Sequence, residues 1–294
     1  MSIESLRADI VEIGRRMYAR SYTASNDGNI SVRIDANRLL MTPKSVCKGF
    51  MTPDMMCVTD LDGKKLQGDR DPSSEMLMHL EVYRQRPDVQ AVVHAHPPTA
   101  TGFAVAGIPL DRAVLAEVLT TLGSIPLAAY ATPSTAELPE AVGKYIKAHD
   151  GMLLANHGAL TVGGDLYSAY YKMETIEHFA KISLVARMLG RENLISREEV
   201  MRLQELRGTY GIKAPAPICA DPVDDVTCQT VQAPEGDGAR LIPDFIGGSL
   251  RATEPPKPTF VASGKSDKAG DDTEIRLTYR ELSALIEDAI RNLR

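Results

Sequence analysis

The sequence predicts an α/β fold in which a mixed β-sheet is covered by helices on both faces. Two observations support this prediction. Along the 294 residues, short apolar runs typical of strands interleave with segments whose apolar residues recur at helical spacing. Two of the links between neighbouring strands also resemble hairpins, and hairpins join antiparallel strands. A mixed sheet therefore fits better than a purely parallel one.

Helices are predicted where apolar residues recur every three or four positions. The first such segment covers residues 3–20, and its apolar stripe consists of Ile3, Leu6, Ile10, Ile13 and Met17. The other segments with a helical pattern are residues 74–86, 113–122, 136–148, 167–189 and 197–206.

Strands are predicted over shorter runs rich in apolar and β-branched residues. The turn signal Asp62-Gly63 closes one of these runs, and Pro97-Pro98 ends another. The predicted strands are residues 28–32, 39–41, 56–60, 89–96, 125–129 and 151–156.

The composition changes near residue 212 and divides the chain into three predicted parts. Residues 1–212 hold the interleaved strands and helices. Residues 213–274 are rich in Pro, Gly, Asp, Ser and Thr, which predicts a flexible linker or extension. Residues 275–294 are predicted to form a separate amphipathic helix. Its apolar face consists of Leu282, Leu285, Ile286, Ala289, Ile290 and Leu293.

Charge and composition argue against several classes of partner. The net charge is −6 and there is no basic block, so neither nucleic acid nor a membrane surface is expected as the main partner. No apolar run approaches the roughly 20 residues that a membrane-spanning helix needs. The four cysteines form no C-x-x-C pair, which favours a reduced, cytoplasmic compartment. They are Cys47, Cys57, Cys219 and Cys228.

Three histidines follow apolar strands and form a candidate metal site. His94 and His96 flank one residue at the end of a strand, so both rings can face the same point. His157 ends another apolar run and precedes Gly158, where the backbone can turn sharply. Three neutral imidazoles around one ion suit zinc with an open position. Any one of them alone would be interpreted as an ordinary core or surface histidine. The histidines in helical patterns, His79, His149 and His178, are expected to be structural or exposed.

Three loop segments supply groups suited to an anion. In Pro72-Ser73-Ser74-Glu75, either serine can cap the following helix, and its hydroxyls and free N–H groups also make a phosphate site. Glu75 could then shuttle a proton between phosphate and metal. The segments 27–31 and 42–45 add glycine, amide, hydroxyl and ammonium groups. Each of these segments is weak evidence alone, because such sequences usually form turns.

Together, these motifs resemble the class II aldolase/adducin family, in particular its fuculose-phosphate aldolase branch. The resemblance covers roughly residues 5–212. It rests on five segments in matching order and spacing: Gly28-Asn29-Ile30-Ser31, Thr42-Pro43, Pro72-Ser73-Ser74-Glu75, His94-Ala95-His96 and Asn156-His157-Gly158.

The resemblance implies a three-layer α/β/α domain with a largely antiparallel sheet, assembled as a homotetramer with sites between subunits. It implies one zinc ion per subunit, held by His94, His96 and His157. It makes Glu75 the catalytic acid/base and Tyr210 a proton donor at a neighbouring subunit's site. The implied phosphate-binding residues are Asn29, Ser73 and Ser74, with Gly28 shaping the loop and Thr42 as a further candidate.

The activity implied is cleavage of a ketose 1-phosphate to dihydroxyacetone phosphate and an aldehyde such as lactaldehyde. This branch of the family carries a second active-site tyrosine after the histidine pair, but residues 111–117 contain none. The sugar therefore stays open between fuculose, rhamnulose and 5-deoxypentulose phosphates. Dehydration and decarboxylation are open alternatives, whereas Glu75 disfavours epimerisation. The intact histidines disfavour a non-catalytic, adducin-like interaction module.

The C-terminal helix predicted at residues 275–294 has two interpretations. After a Pro/Gly-rich linker, it resembles peptides that bind shell proteins and direct enzymes into bacterial microcompartments. Equally, it could pack on its own domain or oligomer, because an apolar helical face does not identify its partner.

Overall fold

Eight strands form one mixed sheet in the part of the chain that the structure describes, residues 2–209 and 212 of a computed structural model. The strand order is β4-β3-β2-β1-β5-β8-β7-β6, and neighbouring strands are antiparallel except for the parallel pair β6–β7. The strands are β1 (Asn29–Arg33), β2 (Arg38–Met41), β3 (Cys57–Asp60), β4 (Lys65–Gln67), β5 (Ala91–Ala95), β6 (Leu127–Ala128), β7 (Gly151–Leu154) and β8 (Gly158–Gly163).

Helices cover both faces of this sheet. They are α1 (Ile3–Ala19), α2 (Met76–Gln85), α3 (Pro98–Val105), α4 (Ala116–Thr121), α5 (Glu137–Gly143), α6 (Leu166–Met188) and α7 (Arg197–Thr209). Val93 packs in a core with residues of α1, α3 and α6, whereas its neighbour Val92 packs in a second core with residues of α2 and α5. Adjacent residues of a strand face opposite ways, so each core takes one face of the sheet. The predicted three-layer α/β/α fold is confirmed.

Side-chain caps define the N-terminal starts of the two longest helices, α1 and α6. The Ser2 hydroxyl accepts a hydrogen bond from the Ser5 N–H at 3.1 Å and begins α1. Asp165 and Ser168 form a reciprocal capping box at the start of α6. The cap fixes the start of α6, the helix that packs across β5, β7 and β8.

Three elements were not predicted. Strand β4 is exposed, and β8 follows β7 so closely that both merge into one apolar stretch of sequence. Helix α3 has no apolar stripe in its sequence. Its first turn is held from outside, because the Glu177 carboxylate on α6 accepts from Thr99 N–H at 3.1 Å and Ala100 N–H at 2.9 Å. A long-range contact of this kind has no local sequence signal.

Other predictions differ from the structure at element ends or fall beyond it. Helix α5 ends at Gly143, so His149 follows a series of turns and is not helical. In the described part of the chain, every helix is too short or too polar to cross a bilayer. Tyr210, the linker, the C-terminal helix and the two cysteines Cys219 and Cys228 lie outside the described residues.

Candidate active site

Strand register brings the three candidate histidines to one place. His94 lies in β5, and His96 follows at its end on the same face. His157 lies in the three-residue turn of the β7–β8 hairpin, whose last strand pair is Leu154 with Gly158. Asn156 precedes it with φ 55°, a left-handed conformation that asparagine tolerates. The hairpin therefore turns His157 back over the end of β5.

The spacing of the three rings suits a shared ion. Their centroids are 4.7 to 5.1 Å apart. The Nε2 atoms of His94 and His96 lie 3.1 Å apart. Zinc bound by imidazole nitrogens at about 2.1 Å in tetrahedral geometry would place its ligands about 3.4 Å apart. The three side chains form the cluster of metal-ligating type found among the described residues.

The protonation of these rings also fits a cation. His94 Nδ1 is 2.9 Å from the carbonyl oxygen of Ala159, which can only accept, so Nδ1 carries the proton and Nε2 is bare. Burial lowers the pKa of His94 well below its usual value and also lowers that of His96, so both rings are neutral at neutral pH. His157 Nδ1 is buried with no hydrogen-bond partner. The bare Nε2 atom of His94 lies 3.1 Å from Nε2 of His96, where both can bind one metal ion.

Glu75 stands beside this cluster, just before α2. Its Oε1 atom is 3.0 Å from His157 Nε2, and its Oε2 atom is 3.3 Å from His94 Nε2. Asn29, opposite His94 in the β1–β5 pairing, donates to Oε2 at 2.7 Å. Burial raises the pKa of Glu75, but hydrogen bonds from His157 and Asn29 lower it, and the net direction is downward. Glu75 is therefore an ionised carboxylate, able to accept a proton.

A cleft of about 400 Å³ opens beside Glu75. Ser73, Ser74, Gly28 and Asn29 all line it, so four of the five predicted phosphate-binding residues lie together. Gly28 has φ +72°, and a Cβ atom there would be 2.7 Å from the Thr23 side chain. The residue must therefore be glycine if the loop is to keep this shape.

Thr42, the fifth predicted phosphate residue, does not line the cleft. Its hydroxyl is buried, accepts from Ile30 N–H at 3.0 Å and lies 3.3 Å from Ile30 O. It therefore ties β2 to β1. The predicted serine cap also differs, because α2 begins after Glu75, whose N–H donates to the Ser73 hydroxyl at 3.3 Å. The Ser74 side chain stays exposed at the cleft.

Two further residues enter the site without having been predicted. Asp27 Oδ2 is 3.5 Å from His96 Nδ1, on the side of the ring away from His94. Lys48 lines the cleft and donates to the carbonyl oxygens of Asn26 at 3.0 Å and Val46 at 2.7 Å. Burial lowers the pKa of Lys48 to about 8. Asp27 stands in a segment already noted for its turn, but nothing in the local sequence distinguishes Lys48 from other lysines.

The stretch that lacks the expected tyrosine lies away from this cleft. None of residues 111–117 lines it in the described part of the chain. Arg112 instead pairs with the buried Glu192 at 2.6 Å, and Ala113 packs with Val200 of α7. The stretch therefore serves the packing of α4 and α7 within this chain.

Comparisons with known proteins agree with the fold. The family described as "Class II Aldolase and Adducin N-terminal domain" matches residues 8–184. An L-fuculose phosphate aldolase of Methanococcus maripaludis is 33% identical over 177 residues, 60% of this chain and 95% of that protein. A 3-oxo-tetronate 4-phosphate decarboxylase of Pectobacterium atrosepticum is 31% identical over 188 residues, 63% of this chain and 86% of that protein.

A solved structure of L-fuculose 1-phosphate aldolase superposes with a TM-score of 0.65 at 30% identity, and covers 69% of this chain and 95% of that one. The chain belongs to the class II aldolase and adducin family. The resemblance inferred from the five motifs is thereby confirmed. Within the family, this L-fuculose phosphate aldolase and this 3-oxo-tetronate 4-phosphate decarboxylase are comparably similar to it.

Proposed function

We propose that this protein is a zinc-dependent class II aldolase that cleaves a ketose 1-phosphate to dihydroxyacetone phosphate and an aldehyde such as lactaldehyde. One observation carries the proposal. The ionised Glu75 carboxylate contacts two histidines of a triad suited to a metal, and it lines the same cleft as Ser73 and Ser74. A substrate bound by its phosphate in that cleft would have its carbon chain near both groups.

The cleft residues favour an anion. The Ser74 hydroxyl is exposed there, and the N-terminus of α2 adds backbone N–H groups and positive potential. Lys48 and Lys44 also line the cleft and carry positive charge, and the Lys44 ammonium is paired with Asp71 at 3.0 Å. A phosphate in this position compensates these groups and anchors the substrate at one end, which leaves less freedom for its reacting carbons.

Glu75 supplies the proton transfer. As a carboxylate it can take a proton from C3 of dihydroxyacetone phosphate in the direction of synthesis, and return it in the direction of cleavage. When bound by the triad, zinc supplies a Lewis acid that stabilises negative charge developing on the substrate carbonyl oxygen. Asn29 holds Glu75 Oε2, so the carboxylate keeps one orientation while the proton moves.

Zinc is preferred over other divalent ions because the donor set consists of three imidazole nitrogens. Imidazole also suits several other divalent metals, so the identity of the metal is part of the proposal. The homotetramer, with Tyr210 acting at a neighbouring subunit's site, and a shell-protein partner for the C-terminal helix are proposed on the family resemblance alone.

A second candidate is decarboxylation of a phosphorylated 3-oxo acid. It is favoured by the 31% identity to a 3-oxo-tetronate 4-phosphate decarboxylase and by the lack of a tyrosine in residues 111–117. Loss of CO₂ from a 3-oxo acid needs stabilisation of the resulting carbanion and then its protonation. It does not need a group that removes a proton from a hydroxyl, so the missing tyrosine matters less. Glu75 and the triad serve both reactions.

The deciding experiment measures both products in one set of incubations. The purified protein is incubated with a panel of ketose 1-phosphates and with phosphorylated 3-oxo acids, while dihydroxyacetone phosphate and CO₂ are followed separately. Each reaction is repeated after chelation and after zinc is added back. Zinc-dependent formation of dihydroxyacetone phosphate and an aldehyde from a ketose 1-phosphate, without CO₂, supports the aldolase. Loss of CO₂ from 3-oxo-tetronate 4-phosphate also leaves dihydroxyacetone phosphate, so CO₂ is the product that distinguishes the two reactions. Release of CO₂ from the 3-oxo acid, with no ketose 1-phosphate cleaved, would reject the aldolase in favour of the decarboxylase.

A further inference from the structure

A line of buried polar side chains leads from Glu75 into the layer beneath α2. Asn29 donates to Glu75 Oε2 at 2.7 Å, and its Oδ1 atom lies 2.5 Å from His79 Nε2. On the far side of the ring, His79 Nδ1 is 2.7 Å from the Ser31 hydroxyl, which lies 2.9 Å from the hydroxyl of Tyr83. His79 and Ser31 are both fully buried. These hydrogen-bonded side chains of Asn29, His79, Ser31 and Tyr83 form the Asn29–Tyr83 chain.

The donor and acceptor groups available fix the direction of each hydrogen bond from Glu75 to Ser31. The ionised Glu75 carboxylate only accepts, so Asn29 must present its NH₂ group there and its oxygen to His79. That oxygen only accepts, so His79 must carry its proton on Nε2. Burial lowers the pKa of His79 to about 4, which makes the ring neutral at neutral pH and leaves Nδ1 bare. Ser31 must then donate to Nδ1.

The two elements that carry the chain hold it by their own geometry. Glu75 and His79 are four residues apart at the start of α2, so they lie on one side of that helix. Asn29 and Ser31 are two residues apart on β1, so both face α2. Strand pairing fixes the Asn29 backbone opposite His94, but it does not fix which end of the amide faces Glu75. The His79 ring is the contact that distinguishes the two ends.

We propose that His79 is a positioning residue, which fixes the amide orientation of Asn29 and thereby holds the Glu75 carboxylate against the histidine triad. This inference rests on the proposed function in so far as Glu75 transfers the proton. His79 itself is not among the residues that line the cleft. If the amide were reversed, its oxygen would face the carboxylate, and two acceptors would repel each other at 2.7 Å.

The first test is a cycle of variants measured by steady-state kinetics. His79→Leu is expected to lower kcat about 10- to 100-fold, with little change in KM, as for other partners one step removed from a reacting group. His79→Gln keeps an N–H donor and should recover most of the rate. In an Asn29→Ala background, His79→Leu should have no further effect, because the amide it orients is gone.

The same cycle can overturn the proposal. If the losses from His79→Leu and Asn29→Ala multiply, His79 does not act through Asn29. His149→Leu is the matched control, since His149 is also buried and its Nδ1 atom lies 3.1 Å from a backbone carbonyl oxygen, that of Ser124. His149 does not line the cleft. The kcat of His149→Leu should equal that of the wild type. A comparable loss of kcat in that variant would assign the His79 effect to general destabilisation.

The second test needs no turnover. Solid-state ¹⁵N NMR of protein labelled in its six histidines reports the tautomer of each ring, and His79→Gln identifies the His79 signals. A neutral ring with its proton on Nε2 is expected in the zinc-loaded wild type. A proton on Nδ1, or on both nitrogens, would refute the proposal. If no candidate substrate reacts, the proposed function fails. This measurement still decides the direction of the hydrogen bonds in the Asn29–Tyr83 chain.

Discussion

Replacement of Gly158 by alanine tests the metal centre without any assumption about the substrate. A Cβ atom at this position would lie 2.5 Å from Ala95 O and 2.6 Å from His96 Cδ2, whereas ordinary contact begins at 3.4 Å. Ala95 pairs with Ala159 of β8, so its backbone cannot retreat without loss of strand pairing. The ring of His96 is the more mobile neighbour, and it is a proposed zinc ligand.

The magnitude follows from these distances. Relief of the clash needs a shift of nearly 1 Å, and overpacking of this kind costs about 1–3 kcal/mol. In a domain of this size, that lowers Tm by roughly 2–12 °C. A ligand moved by much more than about 0.2 Å no longer meets zinc at its normal distance. We therefore expect zinc affinity to fall at least about tenfold.

The assay compares Gly158→Ala with Gly164→Ala, in which the added Cβ meets nothing within 4 Å. Zinc affinity is measured by competition with a chromophoric chelator, and Tm is measured with and without zinc. The Gly164 variant should match the wild type in both. Wild-type zinc affinity in Gly158→Ala would show that His96 is not held against this glycine, and the geometric reasoning would be wrong.

Further predictions concern catalysis, phosphate binding, charge and metal. Glu75→Gln should lower kcat about 10²- to 10⁴-fold while the zinc content, measured by mass spectrometry, stays at the wild-type level; retained turnover would contradict its role. Ser74→Ala should raise KM for a phosphorylated substrate with kcat nearly unchanged, and a fall in kcat alone would argue against a binding role. Because burial lowers the pKa of Lys48 to about 8, its positive charge is present below that pH and lost above it. KM should accordingly rise above about pH 8 in the wild type and much less in Lys48→Arg, which stays charged; identical pH profiles would exclude this lysine. Removal of zinc by a chelator should abolish turnover and lower Tm, and re-addition at about 100 times the dissociation constant should restore about 2.7 kcal/mol of stability. A chelated protein with unchanged Tm would have no metal centre of this kind.

Prediction from sequence succeeded where the signal was local. The apolar stripe that begins at Ile3 predicts α1 to within a residue of its end. The spacing of His94 and His96 places both rings on one face of β5, because strand residues alternate every two positions. Helix α3 was missed because its first turn depends on Glu177, more than seventy residues away in the chain.

The sequence by itself determined which residue types are available, namely three imidazoles at or near strand ends, a carboxylate at the start of a predicted helix and hydroxyls beside it. Only the tertiary structure decided that Asn29 lies opposite His94, that His157 folds back over the end of β5 and that His79 meets Asn29. It also decided that the Thr42 hydroxyl is taken up by Ile30 and not by the cleft. The physical reason is that periodicity fixes the face on which a side chain lies, whereas its partner depends on strand register and packing between segments distant in the chain.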